Sequence, residues 1–214
     1  GSYSGTGILR NVRMVASEKL HVGKWGTYVT TPEVSATKSK IHLEVTIDND
    51  NASSKEFKLV TSIVNAENKE VVNFTSTEKI DAKTSEKKVH DLEVKQPKLW
   101  STENPYLYKV ITKVYEKSKL IDNYETPLGF RFFNFDSEKG FSLNGVPTKI
   151  YGVCLHHDNG ALGAVENIHA VRRKLTLMKE MGANAIRMSH NPHSLEMMKL
   201  CDEMGFIVQD EAFD

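Results

Sequence analysis

Three polar runs each follow directly on a short apolar stretch: His156-His157-Asp158-Asn159-Gly160, Arg187-Met188-Ser189-His190-Asn191-Pro192 and Asp210-Glu211. Imidazoles, guanidiniums and carboxylates are the groups that move protons, hold anions and bind hydroxyls. Their delivery at three corresponding places points to a functional cluster rather than scattered surface polarity. Some of these residues also have a purely local use. Asp158, Asn159 and Gly160 are turn chemistry, and His193 with Ser194 stands where a helix is capped. His156, His157, Asp158 and His190 are donor types that suit zinc or iron. Their spacing matches neither HxxxH nor HExxH, and adjacent residues at a strand end point apart, so no metal is expected. His21, His42 and His90 stand isolated in the β-rich half and read as surface or strand residues. Cys154 and Cys201 lie in apolar stretches outside any CxxC pattern, which predicts two buried free thiols.

The elements that must position these groups have a helical and a strand period. Ile168, Val171, Leu175, Met178 and Met181 share one helical face, with Gly182 at the C-terminal cap position. Leu195, Met198 and Met204 begin a second helix that Gly205 ends. Apolar strands are read at 149–154, 185–188 and 206–209. Strand, helix, strand, helix, strand is a βαβαβ unit with a parallel sheet and right-handed crossovers. The polar runs then all fall at the C-terminal ends of its strands, where a (β/α)₈ barrel carries its chemistry.

Upstream the character is different. Alternation of period two, clearest at 41–47 and ended by Asp48-Asn49-Asp50-Asn51, recurs near 8–15, 28–34, 57–64, 71–75, 87–94, 107–115 and 121–135. Short strands at intervals of roughly ten residues predict an antiparallel immunoglobulin-like β-sandwich, with a barrel of equal strand count as the competing fold. The expected domains are 1–135 for the sandwich and 136–214 for the parallel unit.

The chain has 214 residues, with 28 basic and 28 acidic side chains. Zero net charge gives no footprint for nucleic acid, and no apolar run reaches the roughly 20 residues of a membrane helix. The length is too short for a whole (β/α)₈ barrel beside the sandwich, since such barrels take about 250 residues. The outer edge of the third parallel strand is left without a partner. The expectation is therefore a piece of a longer protein, with Gly1-Ser2 as a remnant of tag removal and self-association through the open edge. Compartment is not legible: a cytoplasmic protein and a periplasmic or secreted one that has lost its signal peptide read alike.

Several motifs carry a family resemblance. Gly140-Phe141-Ser142-Leu143-Asn144-Gly145, Gly152-Val153-Cys154-Leu155-His156-His157-Asp158, the run from Gly182 to Pro192, and Asp210-Glu211-Ala212 together resemble the signature of glycoside hydrolase family 2, in its β-galactosidase branch. Gly7-Ile8-Leu9-Arg10-Asn11-Val12 is similar to the junction that leaves the family's jelly roll. Leu99-Trp100-Ser101, Asn104-Pro105-Tyr106-Leu107-Tyr108 and Gly129-Phe130-Arg131 are similar to its late sandwich strands and the passage into its barrel.

The resemblance implies an immunoglobulin-like domain followed by a truncated TIM barrel, its first three βα strands. It further implies a parent enzyme that hydrolyses terminal non-reducing β-D-galactosides with retention, through two glutamates about 5 Å apart on the fourth and seventh strands. No catalytic residue is then expected in this chain, which is expected to be inactive alone. His156, Asp158, His190 and Asn191 would bind substrate, Arg187 would support the nucleophile, and Asp210 and Glu211 would buttress the strand ends. No cofactor is implied, although the full-length parent leaves room for a divalent-cation site. The Asn159-to-Gly163 run and the ending from Asp210 to Asp214 lean toward the galactosidase branch. The alternatives are the β-glucuronidase or β-mannosidase branch, and a non-catalytic carbohydrate-binding or interaction sandwich.

Overall fold

The computed structural model describes residues 7–212. Gly1-Ser2 and the final Phe213-Asp214, on which two of the expectations above rest, lie outside them. The described residues form two compact units, one of residues 15–99 and 106–132, the other of residues 7–14, 100–105 and 133–212.

The first unit is an antiparallel sandwich. Strands β1 (Leu20–Val34), β2 (Lys38–Asn49) and β5 (Thr84–Lys95) make one sheet in the order β1-β2-β5. Strands β3 (Lys55–Val64), β4 (Glu70–Ile80), β6 (Tyr108–Glu116) and β7 (Lys119–Leu128) make the other, in the order β4-β3-β6-β7. Alternation explains the layering, because successive side chains on a strand face opposite ways. On β2, Ile41, Leu43, Val45 and Ile47 are buried, and on β3 so are Phe57, Leu59 and Ile63. Both sets join one core with Val110 and Val114 of β6, and each fully buried side chain of this size contributes about 1.5–3 kcal/mol. Residues 8–15, expected as a strand, are not one. Val12, Met14 and Val15 are 76%, 98% and 86% exposed, so the apolar pattern there has no sheet to bury it. The first strand instead begins at Leu20 and is broken by a bulge between Val22 and Thr27. Gly26 is required in that bulge, since a Cβ there would lie 2.5 Å from the Gly23 carbonyl oxygen.

The second unit opens with a meander, β8 (Phe133–Asp136), β9 (Gly140–Leu143) and β10 (Val146–Pro147), paired in the order β10-β9-β8. There follow β11 (Gly152–Leu155), α1 (Ile168–Glu180), β12 (Ala185–Met188), α2 (Leu195–Met204) and β13 (Ile207–Gln209). β11-β12-β13 is a parallel sheet, with Gly152 opposite Ala185 and Ala185 opposite Ile207. Asn184 anchors its near end: its Oδ1 accepts from the Tyr151 amide at 2.8 Å and its Nδ2 donates to the Lys149 carbonyl at 2.9 Å. Asn167 caps α1 by accepting from the amides of His169 and Ala170, and Ser194 caps α2 by accepting from that of Met197. Ser194 thus has the expected capping role, but His193 does not. Val171 and Leu175 of α1, Met197, Leu200 and Cys201 of α2, and Ile186 and Met188 of β12 close the core. Ile168 and Met181, placed by periodicity on the same face of α1, are 37% and 76% exposed. Residues 100–105 belong to this unit: Trp100 Nε1 donates to the Asp202 carbonyl at 2.8 Å, and Lys179 Nζ to that of Thr102 at 2.8 Å.

Candidate functional site

Three parallel neighbours end side by side, so the residues just beyond Leu155, Met188 and Gln209 are brought together. Glu211 is the hub. One carboxylate oxygen accepts from Arg187 Nε at 2.5 Å, and the other meets His190 Nδ1 at 3.2 Å. The carboxylate is 16% exposed, against 44% and 40% for its partners, so the pair is partly desolvated and charge-assisted. The Glu211 hydrogen bond also raises the Arg187 pKa above its ordinary value. His156 packs edge-on to His190, with ring centroids 5.4 Å apart. Four of the residues singled out from sequence therefore form one group. Chemically it offers a guanidinium fixed through Nε, with its terminal nitrogens directed elsewhere, beside two imidazoles suited to hydroxyls.

Asp210 acts on this group through the backbone, its Oδ1 accepting from the Glu211 amide at 3.1 Å. Asp158 is used locally: Oδ1 accepts from the Gly160 amide at 2.8 Å and its carbonyl from Lys174 Nζ at 2.5 Å. Asn159 is also used locally, donating from Nδ2 to the Val165 carbonyl at 2.9 Å. Among the described residues no hydrogen bond joins Asp158 or Asn191, both exposed, to the Glu211 group. Cys154 corrects an expectation. It is exposed, 4.0 Å from Arg187 Nη1, because on β11 it faces the same way as its register partner Arg187. Cys201 is buried as expected, and burial pushes its thiol up to about 12.

A second cluster lies beside the first, and only part of it was legible. His157 stacks on His193 with centroids 4.0 Å apart and rings 16° from parallel. Arg10 reaches His157 Nε2 at 3.3 Å and the Pro192 carbonyl at 2.6 Å, and pairs with Glu166 at 3.7 Å. Glu166 also accepts from the Ser194 hydroxyl. Burial raises the Glu166 pKa and lowers that of Lys174. A cavity of about 20 Å³ is lined by His156, His157, Asn159, Glu166, Lys174 and His193, among others. Arg10, Glu166, Lys174 and His193 were not named as site residues. Arg10 lies 147 positions from His157 and 182 from Pro192, so no local spacing announces it. Glu166, a lone acid just before a helix N-cap, was the one available signal. Among the described residues no group of three or more His, Cys, Asp and Glu is placed to hold a metal ion, and no helix is long and apolar enough to cross a membrane.

The profile "Glycosyl hydrolases family 2" matches residues 21–131, and "Glycosyl hydrolases family 2, TIM barrel domain" matches residues 136–213. The chain belongs to glycosyl hydrolase family 2. In family 2 terms β1–β7 are the immunoglobulin-like domain, and the unit from β8 onward is the start of the TIM-barrel domain. The sequence is 47% identical to Beta-galactosidase BoGH2A of Bacteroides ovatus over 99% of this chain and 25% of that protein. It is 35% identical to a putative beta-glucuronidase of Formosa agariphila over 99% of this chain and 20% of that protein. A family 2 crystal structure from Bacteroides cellulosilyticus superposes with a TM-score of 0.89 at 41% identity, covering 92% of this chain and 26% of that one. The chain thus spans between a fifth and about a quarter of the length of these relatives.

Proposed function

We propose that this chain supplies the sandwich and the first three strands of the catalytic barrel in a retaining glycosidase whose parent hydrolyses terminal non-reducing β-D-galactosides. The observation that carries the reading is the Arg187–Glu211–His190 group, with His156 against it, at the C-terminal ends of three parallel strands. Glu211 engages Arg187 through Nε and Cys154 lies against Nη1, which leaves Nη2 for a further acceptor. In a retaining barrel that acceptor is the nucleophilic glutamate, which must stay ionised to attack the anomeric carbon. A fixed guanidinium beside it favours the charged carboxylate. His156 and His190 hold sugar hydroxyls, contacts that strengthen as the ring flattens toward the oxocarbenium ion. Asp158 and Asn191, each on the loop that carries one of these histidines, are the further candidates for substrate contact. Galactose is favoured over glucuronic acid by the greater identity to a protein named a β-galactosidase.

The test uses the full-length parent and 4-nitrophenyl glycosides. The expected order of kcat/KM places β-galactoside above β-glucuronide and β-mannoside. Arg187→Ala is expected to lower kcat by about a hundredfold or more with little change in KM, because its interaction develops with the charge on the nucleophile. A preference for the glucuronide would move the protein to the other branch. Normal kinetics in Arg187→Ala with reduced thermal stability would make the group a structural strand cap.

A further inference from the structure

The loops after β11 and β12 carry His156 and His190, and they are tied to one another by a segment distant in sequence. Residues 7–14 run alongside them. The Glu166 amide donates to the Leu9 carbonyl at 3.1 Å, and Arg13 pairs with Glu196 of α2 at 2.8 Å. Arg10 sits between the loops. One terminal nitrogen serves both His157 Nε2, on the loop after β11, and the Pro192 carbonyl, on the loop after β12. Its Nε faces Glu166, and Glu166 accepts from Ser194 across the same gap.

This geometry constrains protons. A guanidinium only donates, so His157 Nε2 must be the unprotonated acceptor and its proton must sit on Nδ1. His193 lies flat on His157 with its own Nε2 buried and unpartnered, while its ring bonds the Leu155 backbone. A second proton on either ring would set a cation against Arg10 and against the other imidazole.

We propose that Arg10 is a positioning residue for the candidate site, holding the His156 and His190 loops in register through a neutral His157–His193 stack, and that protonation of the stack releases it. The titratable and charged groups facing the stack are Arg10 from the strap, the adjacent His156, Lys174 of α1 and Asp210 beyond β13. Glu166 is faced by Arg10, Lys174 and Glu196. Burial first, then Arg10, hold His157 below the ordinary imidazole range. Burial and then His157 bring His193 down to about 4. The docked strap therefore refuses a proton that an undocked one accepts below about pH 6.5, and docking weakens as pH falls through that window. Glu166 has the opposite sign, because burial raises its pKa and its protonation favours the buried state, so the loss of docking in acid is carried by the His157–His193 stack. That the loops matter for sugar binding rests on the function proposed above; that Arg10 ties them does not, and it is tested without substrate.

The test is nuclear magnetic resonance on the 214-residue chain. Imidazole nitrogen shifts report the tautomer of His157, and hydrogen exchange of the Glu166 amide, corrected for intrinsic rate, reports strap docking. His157 is expected as the Nδ1–H form at about pH 7.5. Glu166 protection is expected to fall by about tenfold or more between about pH 7.5 and pH 5. Arg10→Met should show low protection at both pH values and Arg10→Lys intermediate protection. His157→Phe, which keeps a ring in the stack but cannot titrate, should flatten the pH response. Amides of β12 and of the middle of α1, in the same unit as Arg10 and Glu166, serve as the control that each variant is folded there. A His157 proton on Nε2, equal Glu166 protection in folded Arg10→Met, or an unchanged pH response in His157→Phe would each overturn the proposal.

Discussion

At the scale of single residues, burial decides which histidines matter to stability. His90 is 1% exposed inside the sandwich. Its Nδ1 meets the Thr61 hydroxyl and its Nε2 the Ser76 hydroxyl, each at 2.8 Å, with Phe74 edge-on at 4.7 Å. Burial lowers its pKa, against the opposing pull of Glu78 and Asp91. A lowered imidazole pKa means that the unfolded chain takes up a proton below about pH 6.5 that the folded chain resists, so stability falls as pH drops through that value. The thermal midpoint of the sandwich is expected to fall from about pH 7 to pH 5. His90→Leu should lower it at pH 7, through about 1–3 kcal/mol for stranded hydroxyls, and flatten the acid slope. An unchanged slope in His90→Leu would assign it to other groups. The sequence contained the signal: His90 shares its face of β5 with Leu92 and Val94, both buried. It was read as an isolated strand residue because a polar side chain on an inward position shows only once the register is known. Arg187, His190 and Glu211 were legible because parallel neighbours must end together. Arg10 was not, because its partners come from a different part of the chain.

Elements are fixed by their ends, and the two helix-ending glycines show what a sequence can and cannot tell about them. Gly182 and Gly205 read alike, each after an apolar-periodic segment, and both have positive φ, 88° and 77°. The structure separates them. A Cβ on Gly182 would meet nothing within 4 Å, whereas one on Gly205 would lie 2.4 Å from the Thr102 carbonyl oxygen. That carbonyl is held by Lys179 Nζ, which also donates to the Gly205 carbonyl at 2.8 Å. Gly182→Ala is expected to cost only the left-handed penalty of about 1–2 kcal/mol. Gly205→Ala should cost clearly more, because residues 100–105 must also move. Urea midpoints at constant slope measure both, and equal losses would show that the close approach at Thr102 carries no packing energy. Residues 100–105 were read as sandwich sequence; no periodicity in Trp100-Ser101-Thr102 reveals that their contacts lie with α1, α2 and Asn144.

At the scale of the whole molecule, the two units differ in how completely they bury their own surfaces. The sandwich encloses a core drawn from both sheets, including Leu43, Val45, Leu59, Ile63, Val110 and Val114 at 0% exposure. The parallel sheet has three strands, and among the described residues β11 and β13 are each paired on one side only. Parallel sheets are stable when buried on both faces and extended by further strands. In the meander, Phe133 and Phe135 are 60% and 71% exposed, and with Phe141 they form an aromatic cluster whose centroids lie 5.0–6.4 Å apart. Unfolding should therefore not be two-state, and amides of β2, β3 and β6 should exchange more slowly than those of β11 to β13. Open strand edges and exposed aromatic rings also favour association between copies. Sedimentation velocity of the 214-residue chain is expected to show a weight-average mass that rises with concentration. Phe135→Asp, which places a charge in the aromatic cluster without touching either core, should reduce that rise if the cluster is the contact. If the rise persists in Phe135→Asp, the contact lies at the β11 or β13 edge, and a strict monomer at all concentrations would show that neither surface is adhesive.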